Sequence, residues 1–223
     1  MNNKLIWFKD EISIADELLS LAKNLTEDFL NYHKDFDSDF SKGVSYENDY
    51  IKDPLNKKAA WKVDALRYTY PHQNIDLKLF EDATMQEKFP TAAALTKKYA
   101  EHCLISSYSV LESRSSIGRH SDMENRERTY VRIHIPLIVP TGDIFLEVDN
   151  VEIDWSDIFA FDTELLHSAH NFTDYRRLVY ILDISRKFLG IPPELPWSQE
   201  IEQQAQPFVR GTKPRALHSH QLV

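Results

Sequence analysis

A chain of 223 residues, 42% hydrophobic, 27% charged and 12% aromatic, is long enough for one continuous core and too short for two full domains. Twelve Phe, ten Tyr and four Trp exclude low-complexity disorder, and five Gly exclude a collagen-like chain. A net charge of -9 repels phosphate backbones and anionic headgroups, so neither nucleic acid nor a membrane is expected as a partner.

The opening MNNKLIWFKDEIS lacks the apolar stretch of a signal peptide, and no uncharged apolar run approaches the roughly 18 residues of a membrane span. A soluble, cytoplasmic protein is expected. One cysteine, Cys103, excludes an internal disulfide framework and any all-thiolate metal site. Any metal must then be held by histidine and carboxylate.

In chain order, Ile14, Leu18, Leu21, Leu25 and Phe29 recur at steps of three and four, which predicts an amphipathic helix over residues 12–31. Residues 32–60 are polar, broken by Gly43 and Pro54, and read as loop. The aromatic and β-branched run WKVDALRYTY at 61–70 predicts a strand, interrupted by Pro71. A second helix is expected after Phe89-Pro90, with Thr91 as its cap and an end near residue 102.

From residue 103 the runs LISSYSVLE, RTYVRIHIPLIV, DIFLEVD, DIFAFD and RLVYILDI are short, β-branched and separated by turn-like segments. They predict antiparallel sheet, and with the helices they fit an α+β protein built on a double-sheet jelly roll or cupin-like barrel. The expected layout is one domain over 1–223. Residues 1–102 form a mainly helical flank, 103–186 the sheet core, and the five-proline segment 187–223 an irregular tail.

Chemistry is sought among nine histidines. The pattern His-x-Asp places two side chains on one face of a strand and occurs twice. His33-Lys34-Asp35 lies in an acidic stretch and reads as solvated surface. His120-Ser121-Asp122 adjoins the strand-like runs, and His167 follows at the end of DIFAFD. Two imidazoles and one carboxylate on one face of an octahedral ion leave three positions open, which suits non-haem Fe(II) taking a bidentate co-substrate and O₂.

Ten residues after His167, alternation puts Arg177, Val179 and Ile181 on one face and Leu178, Tyr180 and Leu182 on the other. An arginine within such a strand needs an anion. The far carboxylate of a keto diacid such as 2-oxoglutarate matches its fork, and a salt bridge with Asp183 is the alternative. Arg132 and His134 form a second polar pair on an otherwise apolar strand and also need partners.

The stretches FPTAAAL, YSVLESRSSIGRHSD, RIHIPLIVP, FDTELLHSAHN and RRLVYILDI, in this order between Phe89 and Ser185, resemble the aspartyl/asparaginyl β-hydroxylases. These are Fe(II)- and 2-oxoglutarate-dependent oxygenases with a double-stranded β-helix. The resemblance implies His120, Asp122 and His167 as iron ligands and Arg177 as the holder of the far carboxylate of 2-oxoglutarate, assisted by Ser109. It also implies His134 near the metal-side carboxylate and Arg132 on a co-substrate or substrate carboxylate. Asp122 completes a full triad, as in the free-proline hydroxylases of the same superfamily and unlike the vertebrate branch.

The implied reaction is hydroxylation of an unactivated C–H bond of an amino acid, free or in a peptide, with Fe(II), 2-oxoglutarate and O₂ as cofactor and co-substrates and with succinate and CO₂ as co-products. A non-catalytic metal or 2-oxoglutarate sensor and a cupin-like metal-dependent isomerase or hydrolase are the alternatives. His170 is expected outside the metal shell, and Asn171 shapes a turn. Trp61, Arg67, Tyr68 and Tyr70 are expected in the core, with a substrate-pocket lining as the alternative; Arg119, Arg126 and Arg128 are expected as solvated loop charges, with attraction of an anionic substrate as the alternative; His218 and His220 are expected in the tail and Cys103 as a small buried hydrophobe.

Overall fold

The computed structural model describes residues 5–34, 36, 61–71, 74–122 and 128–192. Eleven strands are described: β1 Ile6–Phe8, β2 Trp61–Tyr70, β3 Ile75–Leu77, β4 Cys103–Leu111, β5 Ser115–His120, β6 Tyr130–Ile138, β7 Ile144–Val148, β8 Val151–Ile153, β9 Phe159–Phe161, β10 His167–Asn171 and β11 Arg177–Ser185. The helices are α1 Ala15–Tyr32, α2 Ala83–Lys88, α3 Pro90–Lys98 and α4 Arg186–Leu189.

The strands form two sheets. The major sheet runs β1-β9-β6-β11-β4-β2-β3 and the minor sheet β5-β10-β7-β8. Among the described strands every pairing is antiparallel, and between the sheets Ile117, Leu146, Val148 and Ala169 of the minor sheet pack with Phe159, Phe161, Val179 and Ile181 of the major one. Two facing antiparallel sheets with helices on the far side of one make the fold a double-stranded β-helix, as expected.

Alternation along the strands builds both layers. On β11, Leu178, Tyr180 and Leu182 join the core beneath the helices, whereas Val179 and Ile181 join the core between the sheets. On β6, Val131, Ile133 and Ile135 point to the helices, which leaves Arg132 and His134 for the inner face. Leu18, Leu25 and Phe29 of α1 and Ala92 and Leu95 of α3 close the outer core.

The first helix and β2 lie where the sequence places them, to within a few residues. Helix α3 differs in its start: Pro90 occupies the first turn, and Thr91 is inside the helix. Its exposed amides are instead capped by the Asp28 carboxylate of α1, which accepts from Thr91 N at 2.6 Å and Ala92 N at 3.4 Å. A cap supplied 63 residues away leaves no local signature.

The expected boundary at residue 103 also needs correction, because β1, β2 and β3 complete the major sheet. β2 pairs with β4 from Trp61 to Tyr68, so the first hundred residues are not merely a helical flank. The tail begins with order, since α4 continues β11 and buries Leu189 and Ile191. Most of the expected loop 32–60, together with Arg126, His218 and His220, lies outside the described residues.

Two polar side chains expected in water are inside. His33 is 3% exposed, and its Nε2 lies 2.7 Å from Asp64 Oδ2 beneath Phe29 and Phe89. Arg128 is equally buried and donates to Asp162, which also takes Arg186 at 2.8 Å. In both cases a distant carboxylate offsets the desolvation, which composition of the local stretch does not reveal. No described helix is long and apolar enough to cross a membrane.

Candidate active site

β5 and β10 pair so that His120 stands opposite His167 and Ile117 opposite Ala169. Between these pairs one residue on β10, Ser168, faces two on β5, Gly118 and Arg119, a bulge that turns His120 to the same inner side as Ile117. Asp122 follows just beyond the strand. One ligand atom each from His120, Asp122 and His167 lies within 4.8 Å of the others, the one such cluster among the described residues.

The backbone fixes both rings. His120 Nδ1 is 2.7 Å from the Gly118 carbonyl, and His167 Nδ1 is 2.8 Å from the Leu165 carbonyl. A carbonyl only accepts, so each Nδ1 carries the proton and each Nε2 offers a lone pair to the shared space. Asp122 lies 3.5 Å from His120 Nε2 and 3.9 Å from His167 Nε2.

The electrostatics favour a bound cation. Burial opposes ionisation of Asp122, but Arg132 and the two histidines outweigh it and hold the carboxyl well below its usual range. Burial pushes His167 down to about 3, and it stays neutral. His120 is likewise opposed by burial, yet the hydrogen bond and charge of Asp122 draw its pKa up. A divalent metal requires neutral imidazoles and an ionised carboxylate; His167 and Asp122 are already in that state, and a bound cation displaces the proton that Asp122 favours on His120.

Arg177 enters the same cavity from β11, 1% exposed. Among the described residues no carboxylate reaches it, and its Nε has no hydrogen-bond partner. Burial pushes its pKa down to about 9, and it remains a cation at neutral pH. Asp183, the alternative partner, is engaged elsewhere: Arg132 donates to both its oxygens at 2.7 and 2.8 Å, and through Nη1 to Asp122. Arg132 is thus the brace between the triad's carboxylate and β11.

Ser109 lies beside Arg177 on β4. Its Oγ accepts from Arg177 Nη2 at 3.3 Å and from Trp61 Nε1 at 2.8 Å. With those lone pairs used, its own proton is available to an acceptor in the cavity. His134 faces the same space, and its Nδ1 accepts from Trp155 Nε1 at 2.9 Å.

Trp61 therefore lines the cavity rather than only filling the core, and Trp155 was not singled out in the sequence at all. Trp61 comes from β2 and Trp155 from the connection between β8 and β9, and only the tertiary fold brings them to the arginine. His170 points away, stacking on Phe145 and Phe172 with its Nε2 near Ser168 Oγ. Asn171 shapes the following turn through Glu112 O, Tyr175 O and Thr173. Cys103 is buried, and burial raises its thiol far above the reactive range.

A double-stranded β-helix that gathers two histidines, an aspartate and an unpaired buried arginine around one cavity defines the class of 2-oxoglutarate-dependent oxygenases. The family model of the aspartyl/asparaginyl β-hydroxylases matches residues 9–187, and the chain belongs to that family. It is accordingly a hydroxylase.

Among solved structures the chain is similar to a Pseudomonas putida prolyl-4-hydroxylase (13% identity, 74% of this chain and 86% of that one, TM-score 0.41). It is also similar to a Trichoplax adhaerens prolyl hydroxylase in complex with a hypoxia inducible factor peptide fragment (13%, 78% and 83%, TM-score 0.42). A third is a 2OG-Fe(II) oxygenase family oxidoreductase from Burkholderia pseudomallei (14%, 56% and 66%, TM-score 0.37). No curated protein sequence matches the chain.

Proposed function

We propose that the protein hydroxylates an unactivated C–H bond of an amino acid, free or in a peptide, with His120, Asp122 and His167 holding Fe(II) and Arg177 holding 2-oxoglutarate. The observation that carries this reading is Arg177, a buried cation without a carboxylate among the described residues. A buried charge of this kind is costly unless an anion arrives, and its planar fork suits a carboxylate. Ser109 adds one donor beside it. Family membership and the backbone-fixed imidazoles favour iron chemistry over the sensor and isomerase alternatives.

Bound Fe(II) with 2-oxoglutarate and O₂ supplies the oxidising power that an unactivated C–H bond needs, and succinate and CO₂ are the co-products. The chain's own residues do the rest. His120 and His167 present Nε2, Asp122 stays ionised against Arg132, and Arg177 with Ser109 orients the far carboxylate. His134, aimed at the same cavity, offers Nε2–H to the other end of the co-substrate. Apolar walls such as Ile117, Leu146 and Phe161 limit water around the reacting centre.

The test is reconstitution with Fe(II) under anaerobic conditions, followed by air and pooled amino acids or peptides, with succinate measured by mass spectrometry. Succinate that rises with one pool and vanishes in His120→Ala is the expected result. Full turnover in His167→Ala would overturn the metal assignment.

A further inference from the structure

We infer that Trp155 is a positioning residue that sets two protein contacts of the co-substrate, fixing the tautomer of His134 with its N–H and the guanidinium plane of Arg177 with its ring face. The inference rests on the co-substrate reading proposed above and assigns a role to a residue that touches neither metal nor co-substrate.

Trp155 is 2% exposed and sits between β8 and β9. Its position is held by the preceding residue: Asp154 Oδ1 accepts from Ser156 N at 2.9 Å and from Ser156 Oγ at 2.5 Å, closing a tight turn around it. From there the indole reaches inward with both of its chemical faces in use.

The indole nitrogen can only donate. Its contact with His134 Nδ1 at 2.9 Å therefore requires a lone pair there, which leaves the ring proton of neutral His134 on Nε2. The two ring planes are inclined by only 10° with centroids 6.1 Å apart, a separation that accommodates the hydrogen bond between their edges. Burial, with Arg177 and Arg132 nearby, holds the His134 pKa well below the ordinary histidine range, so the neutral form is the relevant one. Phe159 and Phe161 flank the imidazole at 5.2 and 5.3 Å and offer no competing donor or acceptor.

The ring face serves the other partner. Arg177 Cζ lies 4.6 Å from the Trp155 ring centroid. The negative face of an indole attracts a desolvated guanidinium and restrains its plane. For a cation whose only hydrogen-bonded neighbour among the described residues is Ser109, that face limits the conformations lost when a carboxylate binds. One side chain thus links two groups that line the same cavity from β6 and β11.

Two substitutions separate the two functions. Trp155→Phe keeps a ring face and removes the N–H, whereas Trp155→Leu removes both. The readouts are the imidazole nitrogen shifts of His134 in metal-free protein and the affinity of Mn(II)-loaded protein for 2-oxoglutarate by calorimetry. In the parent protein His134 is expected as one tautomer with Nε2 protonated. In Trp155→Phe a second tautomer appears while affinity falls by about threefold. In Trp155→Leu affinity falls by about tenfold or more.

An unchanged His134 tautomer in Trp155→Phe, or parent-like affinity in a folded Trp155→Leu, would overturn the inference, because either is what mere space-filling gives. Should Trp155→Leu fail to fold, the tautomer in Trp155→Phe decides. Failure of the parent protein to bind 2-oxoglutarate would count against the proposed function, and the tautomer measurement would still decide the role of Trp155.

Discussion

Along β11, Leu178, Tyr180 and Leu182 face the helices, while Arg177, Val179, Ile181 and Asp183 face the minor sheet. The helical side is apolar, and its polar groups satisfy one another: Tyr180 Oη, Ser106 Oγ and Thr96 Oγ1 form a closed network at 2.7–3.3 Å. The inner side holds a cation without a carboxylate, a paired arginine and a neutral imidazole. Residues one position apart on one strand therefore do opposite work. The outer face supplies the stability that lets the inner face keep a group that burial disfavours.

The largest expected effect comes from removing a donor of the inner face. His120→Ala or His167→Ala should abolish both bound iron, measured by metal analysis, and succinate formation. The same change leaves the outer core untouched, so the melting behaviour of metal-free protein should stay close to the parent's. Loss of folding in both variants would break the contrast.

On the other face, Leu182→Ala or Leu178→Ala should cost about 2–5 kcal/mol in denaturant unfolding, since both are fully buried under the helices. Where the variant still folds, its KM for 2-oxoglutarate should be unchanged. Arg177→Met sharpens the comparison from within. It should raise that KM by about a hundredfold or more, as a charge-assisted pair is lost, and leave metal-free stability equal or higher. A strongly destabilised Arg177→Met would show that the arginine is structural.

A smaller effect is expected with pH. His134 stays neutral in the folded protein at pH values where an unfolded histidine, with a pKa near 6.5, binds a proton. The unfolded state then binds more protons, so stability falls as pH drops below about 6.5, by at most about 1.4 kcal/mol per pH unit for this one group. Unfolding curves of metal-free protein from pH 7 to 5 should therefore be less pH-dependent in His134→Gln. The smallest effect is expected at Ser109→Ala, a fewfold rise in the KM for 2-oxoglutarate, with no change in bound iron.

Alternation made much of this legible. The pattern RRLVYILDI already separates Arg177 from Leu178 and Tyr180, and VRIHIPLIV separates Arg132 and His134 from Ile133 and Ile135. Helix α1 and strand β2 follow from period and residue type alone. What stayed hidden depends on partners far along the chain: Asp28 capping α3, Asp64 receiving His33, Asp162 taking Arg128, and Asp183 taking Arg132 rather than Arg177. The two tryptophans were hidden for the same reason, because an isolated Trp reads as core until pairing shows which polar group its N–H meets.

The irregular pairing between Ile117 and His120 makes the site a matter of parity. On a regular strand an odd step reverses the direction of a side chain, so residues three apart look opposite ways. Here one additional residue restores agreement. Deleting a single residue at position 119 would leave Ile117 and the histidine two apart, an even step that a regular strand keeps on one face, so the first imidazole would still face the barrel without the bulge. At its present length without the bulge, β5 would aim the first imidazole out of the barrel, so a chain can retain every residue of such a motif and still lack the site.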